Sequence, residues 1–197
     1  MRVAIVGGTG DFGLALARRL VEAGDEVVIG SRAAERAQEK AREVGASGAA
    51  NEDAVRGVEL VVLATKAEGA LETAAALSDA VGETPVLSVA SDLRSTDSHS
   101  LAERTQELVS APVAAGLHSL AAGKLAHRRP DEDVFVCGDD ADAKALALEL
   151  AAKVVAGRAL DAGPLASARA LEGMTAVIVN LNKRYKGHAG LRITGLP

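Results

Sequence analysis

Short apolar runs alternate with longer amphipathic segments along most of this chain. Most of the apolar runs are rich in valine, isoleucine and leucine, as expected of strands that are buried on both faces of a parallel sheet. The segments between them mostly carry apolar residues at helical spacing, which indicates helices on both sides of that sheet. The bounds of the runs predict eight strands, at 2–6, 26–29, 46–50, 59–64, 85–89, 113–115, 133–137 and 158–161.

This alternation predicts a Rossmann-type α/β fold, with a doubly wound, mostly parallel sheet and right-handed crossovers. We assign residues 1–160 to a nucleotide-binding domain and residues 161–197 to a small C-terminal helical segment that completes the active-site cleft. One long helix is predicted from Leu165 to about Tyr185, followed by a tail that is apolar enough to dock on the protein. Residues 124–133, which include Pro130, are predicted to form a loop.

Three glycines stand directly after the first predicted strand, in the run Gly8-Thr9-Gly10-Asp11-Phe12-Gly13. This G-x-G-x-x-G spacing, between a strand and a helix, is typical of a dinucleotide site. The first glycine allows the tight turn out of the strand, the second lets a pyrophosphate approach the backbone, and the third lets the helix pack closely. The helix N-terminus adds free N–H groups and the positive end of its dipole. We therefore predict that a dinucleotide binds here.

The residues after the second predicted strand indicate which dinucleotide it is. NAD sites usually carry Asp or Glu about 20 residues beyond the glycines, where it binds the ribose 2′-hydroxyl. This chain has Ser31 and Arg32 there instead, with Arg36 one helical turn further on. A hydroxyl and two guanidinium groups match a 2′-phosphate, since arginine pairs bidentately with phosphate oxygens. The sequence therefore predicts NADP; the alternative is that both arginines are solvated charges on a surface helix.

Composition excludes several other classes of protein. The chain has 197 residues, of which 48% are apolar and 25% charged, as in an ordinary globular domain. A net charge of −5 argues against nucleic acid as the main partner, and no apolar run approaches the roughly 18 residues of a membrane span. The four histidines are scattered, so no metal site is predicted. A single cysteine, Cys137, and no recognisable targeting segment lead us to expect a cytoplasmic protein.

Two known kinds of NADP-linked reductase do not fit the sequence. A short-chain reductase needs a Tyr-x-x-x-Lys pair, and Tyr185 is the only tyrosine and has no lysine at that spacing. A dehydrogenase of the 6-phosphogluconate type has a long all-helical second domain, for which the residues after Asp161 are too few.

An ordered series of segments extends over almost the whole chain, and general nucleotide-binding rules do not require the later ones. They are Met1 to Gly10, Ile29-Gly30-Ser31-Arg32, Leu117-His118-Ser119, Val136 to Asp140, Asp161 to Leu165, and the Leu191-Arg192-Ile193 tail. In these segments the chain resembles the NADPH-dependent reductases of coenzyme F-420, an 8-hydroxy-5-deazaflavin.

The resemblance implies hydride transfer between NADP(H) and coenzyme F-420 as co-substrate, with no side chain assigned as a catalytic group. It implies that the glycine segment and Thr65 contact NADP, and that Ser31, Arg32 and Arg36 bind its 2′-phosphate. Ser88, Ser91 and His118 would belong to the deazaflavin pocket. The family is dimeric, so we also expect a homodimer that buries part of the last helix.

Two loops depart from the family pattern. Thr65-Lys66-Ala67 stands where the family usually has a Pro-aromatic pair, and 88–92 lacks the proline common there. Two other functions therefore stay open: an NADP-dependent reductase of another small molecule, with Lys66 or His118 as proton donor, and a non-catalytic NADP-sensing protein.

Overall fold

The computed structural model describes residues 1–94 and 97–196 of the chain. Eight strands form one sheet in the order β3-β2-β1-β4-β5-β6-β7-β8, in which β1 to β6 are parallel. Strand β7 runs antiparallel to β6 and parallel to β8, so the predicted doubly wound, mostly parallel Rossmann-type sheet is confirmed. The strands are β1 Arg2–Val6, β2 Glu26–Ser31, β3 Ser47–Ala50, β4 Leu60–Leu63, β5 Val86–Ser88, β6 Val113–Gly116, β7 Val134–Gly138 and β8 Ala159–Asp161.

Helices cover both faces of this sheet. The last of them is long, as predicted, but begins with a short 3-10 turn at Leu165–Ser167. The helices are α1 Asp11–Glu22, α2 Ala34–Arg42, α3 Asn51–Ala54, α4 Ala67–Val81, α5 Leu101–Gln106, α6 Ala122–His127, α7 Ala141–Val154 and α8 Ala168–Tyr185.

The two faces of the sheet bury two separate apolar cores. In β1, Val3 and Ile5 pack into the core that includes side chains of α1, α2 and α7, while Ala4 and Val6 pack into the core on the opposite face. All four side chains are fully buried. Strict alternation of two apolar sets within one strand is the consequence of the period-two geometry of a strand. It explains why β1 appears in the sequence as a continuous apolar run.

The predicted loop at 124–133 is wrong in its first part, because α6 occupies residues 122–127. This short helix is held by tertiary contacts: Leu125 is fully buried, and Arg18 and Arg19 of α1 donate to the Ala126 carbonyl at 3.4 and 3.5 Å. A six-residue helix has little intrinsic stability. Packing against α1, which the local sequence does not reveal, therefore decides its structure.

The C-terminal tail docks, but through polar groups. Asp133 N donates to the Leu191 carbonyl and Ile193 N donates to Asp133 Oδ2, each at 2.8 Å. Arg158 bonds the same carboxylate at 2.6 Å. The apolar side chains Ile193 and Leu196 of this tail remain 38% and 51% exposed.

The sheet brings three loops to one edge. The last residues of β1, β4 and β5 lie side by side, with Val6 opposite Leu63 and Leu63 opposite Ser88. The chain leaves all three strands in the same direction, so the loops at 7–10, 64–66 and 89–94 meet at the carboxyl edge of the sheet, where open α/β sheets bind ligands. The division of the chain at residue 160 stays a prediction.

Within residues 1–94 and 97–196, none of the helices combines the length and the apolar character needed to cross a membrane.

Candidate functional site

The turn after β1 depends on two adjacent glycines. Gly7 has a positive φ of 80°, and a Cβ there would lie 2.9 Å from the carbonyl carbon of Ala64. Gly8 has no room for a side chain either, since its Cβ would lie 2.8 Å from the Ile5 carbonyl oxygen. The glycine spacing predicts the tight turn at Gly8, and this prediction is wrong: the left-handed residue is Gly7, and Gly8 is required by close packing. The Gly7-Gly8 doublet was the signal for it.

Helix α1 begins directly on this turn. A Cβ on Gly13 would lie 2.6 Å from Gly8 Cα, so the third glycine lets the helix press against the turn. Gly10 is the N-cap and contributes no side-chain cap, which leaves the first N–H groups of the helix without an intrahelical partner. A Cβ on Gly10 would meet only the Gly7 carbonyl oxygen, at 3.5 Å. The backbone here is therefore open to a ligand and presents N–H donors to it.

The other residues of the predicted glycine segment lie around this open backbone. Thr9 lies half-buried within the turn, and Asp11 is the exposed first residue of α1. Phe12 is half-buried and lines the cavity described below.

Two arginines stand beyond the end of β2. Ser31 is its last residue and is half-buried, and its Oγ accepts weakly from Ala33 N at 3.4 Å. Arg32 and Arg36 are exposed, and neither guanidinium forms an ion pair or hydrogen bond with any residue in the described part of the chain. Helix α2 starts between them, at Ala34. The geometry leaves one hydroxyl and two cations available to an anionic group.

A cavity of about 500 Å³ opens at the carboxyl edge of the sheet, between α1 and the loops after β4 and β5. Of the predicted site residues, Phe12, Thr65 and Ser91 line it, and Ser88 and His118 do not. Ser88 is buried inside β5. The lining residues are Phe12, Ala64, Thr65, Lys66, Ala67, Glu68, Val89, Ala90, Ser91, Asp92, Leu93 and Arg94.

Two polar groups of the loop after β4 have no partner among the residues that the structure describes. The Thr65 hydroxyl oxygen is buried without a hydrogen bond. Lys66 is exposed at the cavity and makes no ion pair. Buried polar atoms are nearly always hydrogen-bonded in folded proteins, so the Thr65 oxygen is a candidate ligand contact.

His118 lies behind the wall of this cavity, in the turn that follows β6. It is buried, and neither Nδ1 nor Nε2 forms a hydrogen bond with a described residue. Burial lowers the pKa of His118 to about 4, and the backbone of Ala90, a lining residue, opposes that shift only in part. The ring is therefore neutral at pH 7.

The residue before this histidine has an unusual backbone. Leu117 is buried with a φ of +64°, a left-handed conformation that is uncommon for a large side chain. Its N–H donates to the Phe135 carbonyl of the neighbouring strand at 3.3 Å. The antiparallel strand β7 thus helps to hold the conformation that turns the chain toward His118.

Sequence reasoning missed two polar residues of α8 that hold the site together. Thr175 Oγ1 donates to the His118 carbonyl at 2.8 Å and lies 3.1 Å from Ser91 Oγ. Glu172 is buried and accepts from Leu101 N at 2.7 Å and from Asp92 N at 3.4 Å. Both stand close to the apolar face of α8, which was the available signal, but their partners are 57 to 84 residues away in sequence.

Three kinds of comparison place this structure among known proteins. The family model for coenzyme F420-dependent NADP oxidoreductases matches residues 2–92. A curated F420-dependent NADP reductase of Methanothermobacter thermautotrophicus is 35% identical, over 100% of this chain and 96% of its own length. A curated protein of the same name from Methanocaldococcus jannaschii is 31% identical, over 100% of this chain and 99% of its own length. The crystal structure of a proposed F420-dependent NADP reductase from an Arthrobacter species superposes with a TM-score of 0.87, at 26% identity, and covers 99% of this chain and 100% of that one.

The neutral, buried His118 makes the stability of the protein depend on pH. Its pKa is depressed from 6.5 in the unfolded chain to about 4 in the folded one, so the unfolded state binds the proton first as the pH falls. Stability from this group is present above pH 6.5 and is lost between about 6.5 and 4, on the order of 3 kcal/mol by pH 4. Urea unfolding of the wild type and of His118→Gln at several pH values measures it. We expect His118→Gln to lose this part of the dependence of the free energy of unfolding on pH, whereas His127→Gln, at an exposed histidine, should keep it. Parallel plots of the free energy of unfolding against pH for the wild type and both variants would contradict the prediction.

Proposed function

The chain belongs to the family of F420-dependent NADP reductases, and we propose that it transfers a hydride reversibly between NADP(H) and coenzyme F-420. The observation that carries this proposal is the cavity beside the glycine turn, in a chain that aligns over its full length with reductases of that name. Its walls come from the loops after β4 and β5, next to the open backbone at Gly10.

The NADP half of the site is proposed at the first two strands. The N–H groups at the start of α1 would bind the pyrophosphate, where the glycine turn admits it close to the backbone. Ser31, Arg32 and Arg36 would bind the 2′-phosphate, since both guanidinium groups are exposed and unpaired in the described structure. The buried Thr65 hydroxyl would find in the bound dinucleotide the hydrogen-bond partner that the described residues do not supply.

The deazaflavin half of the site is proposed in the rest of the cavity. When both are bound, NADPH supplies a hydride from its nicotinamide C4, the deazaflavin accepts it at C5, and a solvent proton balances the reduction. The protein has only to align the two rings and exclude water. Small side chains such as Ala64, Ala67 and Ala90 leave space for a flat ring. Ser91 lies in that wall, with the neutral His118 behind Ala90.

One observation favours the alternative reductase. Lys66 lines the cavity without an ion-pair partner among the described residues, so its ammonium group could protonate a small carbonyl or imine substrate. The deazaflavin assay below distinguishes the two functions. The proposed compartment is the cytoplasm, in keeping with a single buried free thiol, Cys137.

The choice of nucleotide is tested by comparing NADPH with NADH. We expect NADPH to bind at least tenfold tighter than NADH, about 1.4 kcal/mol or more, because Ser31 and Arg32 stand where NAD sites carry an acid. Arg32→Ala should lose most of this preference and leave NADH affinity nearly unchanged, in fluorescence titrations with both nucleotides. Arg42→Ala, at the far end of the same helix, is the matched control and should keep the preference. Equal affinities in the wild type would refute the NADP assignment.

The reaction itself is tested with NADPH and oxidised coenzyme F-420. Purified protein with NADPH should bleach the absorbance of oxidised coenzyme F-420, and His118→Ala should impair deazaflavin KM or turnover more than NADPH affinity. His127→Ala serves as the exposed-histidine control. If NADPH binds but no deazaflavin is reduced from about pH 5 to 9, the alternative reductase becomes the better function. Turnover of a carbonyl or imine that Lys66→Met abolishes would then support it.

A homodimer is proposed from the outer face of α8. Val177, Leu181 and Tyr185 follow one another at four-residue spacing, so they form one stripe, and they are 57%, 40% and 72% exposed. An exposed apolar stripe of this kind is typical of a protein interface. We propose that the stripes of two copies pack together.

Light scattering tests the dimer. The wild type should have twice the chain mass of 20.0 kDa at micromolar concentration, and the Val177→Glu, Leu181→Glu double variant should be monomeric because four buried carboxylates cannot be accommodated. Leu108→Glu places the same charge on a different exposed leucine and should stay dimeric. A monomeric wild type would exclude this interface.

A further inference from the structure

A chain of hydrogen bonds runs from the backbone of His118 through Thr175 to Ser91. Thr175 Oγ1 lies 2.8 Å from the His118 carbonyl oxygen and 3.1 Å from Ser91 Oγ. It connects the C-terminal helix to the turn after β6 and to the cavity wall. Ser91 has no other hydrogen bond in the described structure, is half-buried and lines the cavity.

The chemistry of these three groups fixes the direction of every proton. A carbonyl oxygen can only accept, so the one hydroxyl proton of Thr175 is donated to His118. Thr175 then has only lone pairs to offer to Ser91, and Ser91 must donate its own proton to Thr175. The lone pairs of Ser91 Oγ that remain can accept a hydrogen bond, while no proton remains for donation to a ligand.

We propose that Ser91 is a specificity-determining residue that accepts a hydrogen bond from an amide or imide N–H of a bound substrate, and that Thr175 is the positioning residue that fixes it in this role. The proposal rests on the proposed hydride transfer and adds that, in one hydrogen bond between protein and substrate, the substrate donates and Ser91 accepts. A ligand that presents a carbonyl at this point would meet another acceptor, and neither side would supply a proton. The pocket wall at Ser91 therefore selects for a donor.

Both proposed reactants carry such a donor. The pyrimidinedione ring of a deazaflavin has an imide N–H, and the nicotinamide ring has a carboxamide NH₂. The shared chemistry is an N–H flanked by a carbonyl. A nicotinamide analogue that lacks the donor, the 3-acetylpyridine form of NADPH, distinguishes the two sources.

The experiment compares Ser91→Ala, Thr175→Val, the double variant and Thr175→Ser, with Ser110→Ala and Thr73→Val as matched controls away from the cavity. Steady-state KM for the deazaflavin, and dissociation constants for NADPH and its 3-acetylpyridine analogue, are measured for each. We expect Ser91→Ala to weaken one ligand by roughly three- to tenfold, the size of one lost hydrogen bond. Thr175→Val should weaken the affinity for the same ligand, and Thr175→Ser, which keeps the hydroxyl, should have the wild-type affinity. The double variant should bind that ligand no more weakly than Ser91→Ala does, because the two residues act as one unit.

The ligand that responds identifies the donor. A rise confined to the deazaflavin KM assigns the imide. A loss of NADPH affinity that is absent with the 3-acetylpyridine analogue assigns the carboxamide. If Ser91→Ala leaves the deazaflavin KM and both dissociation constants unchanged, or if the losses of affinity add in the double variant, the inference is wrong. Deazaflavin turnover by the wild type would still support the proposed function in that case. A wild type that binds NADPH tightly but reduces no deazaflavin would instead refute the proposed function, and the NADPH titrations would still decide between the carboxamide and no contact.

Discussion

The contact between Gly8 and Gly13 is the constraint on which the nucleotide half of this structure depends. Because neither residue has a side chain, the start of α1 comes so close to the turn after β1 that a Cβ on Gly13 would overlap Gly8 Cα. The same contact directs the helix N-terminus at the edge of the sheet where β1, β4 and β5 end. An anion at that edge meets backbone donors that folding has already oriented, so little further ordering is needed on binding.

The second half of the site depends on the C-terminal helix. Helix α8 reaches the loop after β5 through Thr175 at Ser91 and through Glu172 at Asp92, and Glu172 also binds Leu101 at the start of α5. Burial raises the pKa of the Glu172 carboxyl, and the N–H donors of Leu101 and Asp92 oppose that rise. The Glu172 carboxyl group accepts hydrogen bonds from Asp92 N, near the start of this loop, and from Leu101 N, at the start of α5. It therefore holds both of these points of the chain. The pocket is thus assembled from residues that are far apart in the chain.

The electrostatic character of the site matches hydride transfer between two rings. The groups that face the proposed 2′-phosphate are permanent cations, Arg32 and Arg36, at the exposed end of β2. His118, which lies behind the cavity wall, is a histidine that burial keeps neutral. Charge is therefore available where an anion has to be held. The cavity proposed for the rings is lined by small and hydroxyl side chains such as Ala64, Ala90 and Ser91, and also by the charged residues Lys66, Glu68, Asp92 and Arg94.

The sequence by itself determined the sheet and the position of the glycine-rich segment, and it predicted NADP as the dinucleotide. Each of these depends on a local pattern: the continuous apolar run of β1 requires burial on both faces, the spacing of Gly8, Gly10 and Gly13 follows from backbone clearance, and Arg32 stands at a defined distance beyond it. Only the tertiary structure decided that α6 is a helix, that Gly7 makes the turn, and that the tail docks through Asp133. It also decided that His118 lies behind Ala90 and that Thr175 and Glu172 hold the pocket. These features depend on contacts between residues tens of positions apart, and a local pattern carries no information about which distant group will satisfy a buried polar atom.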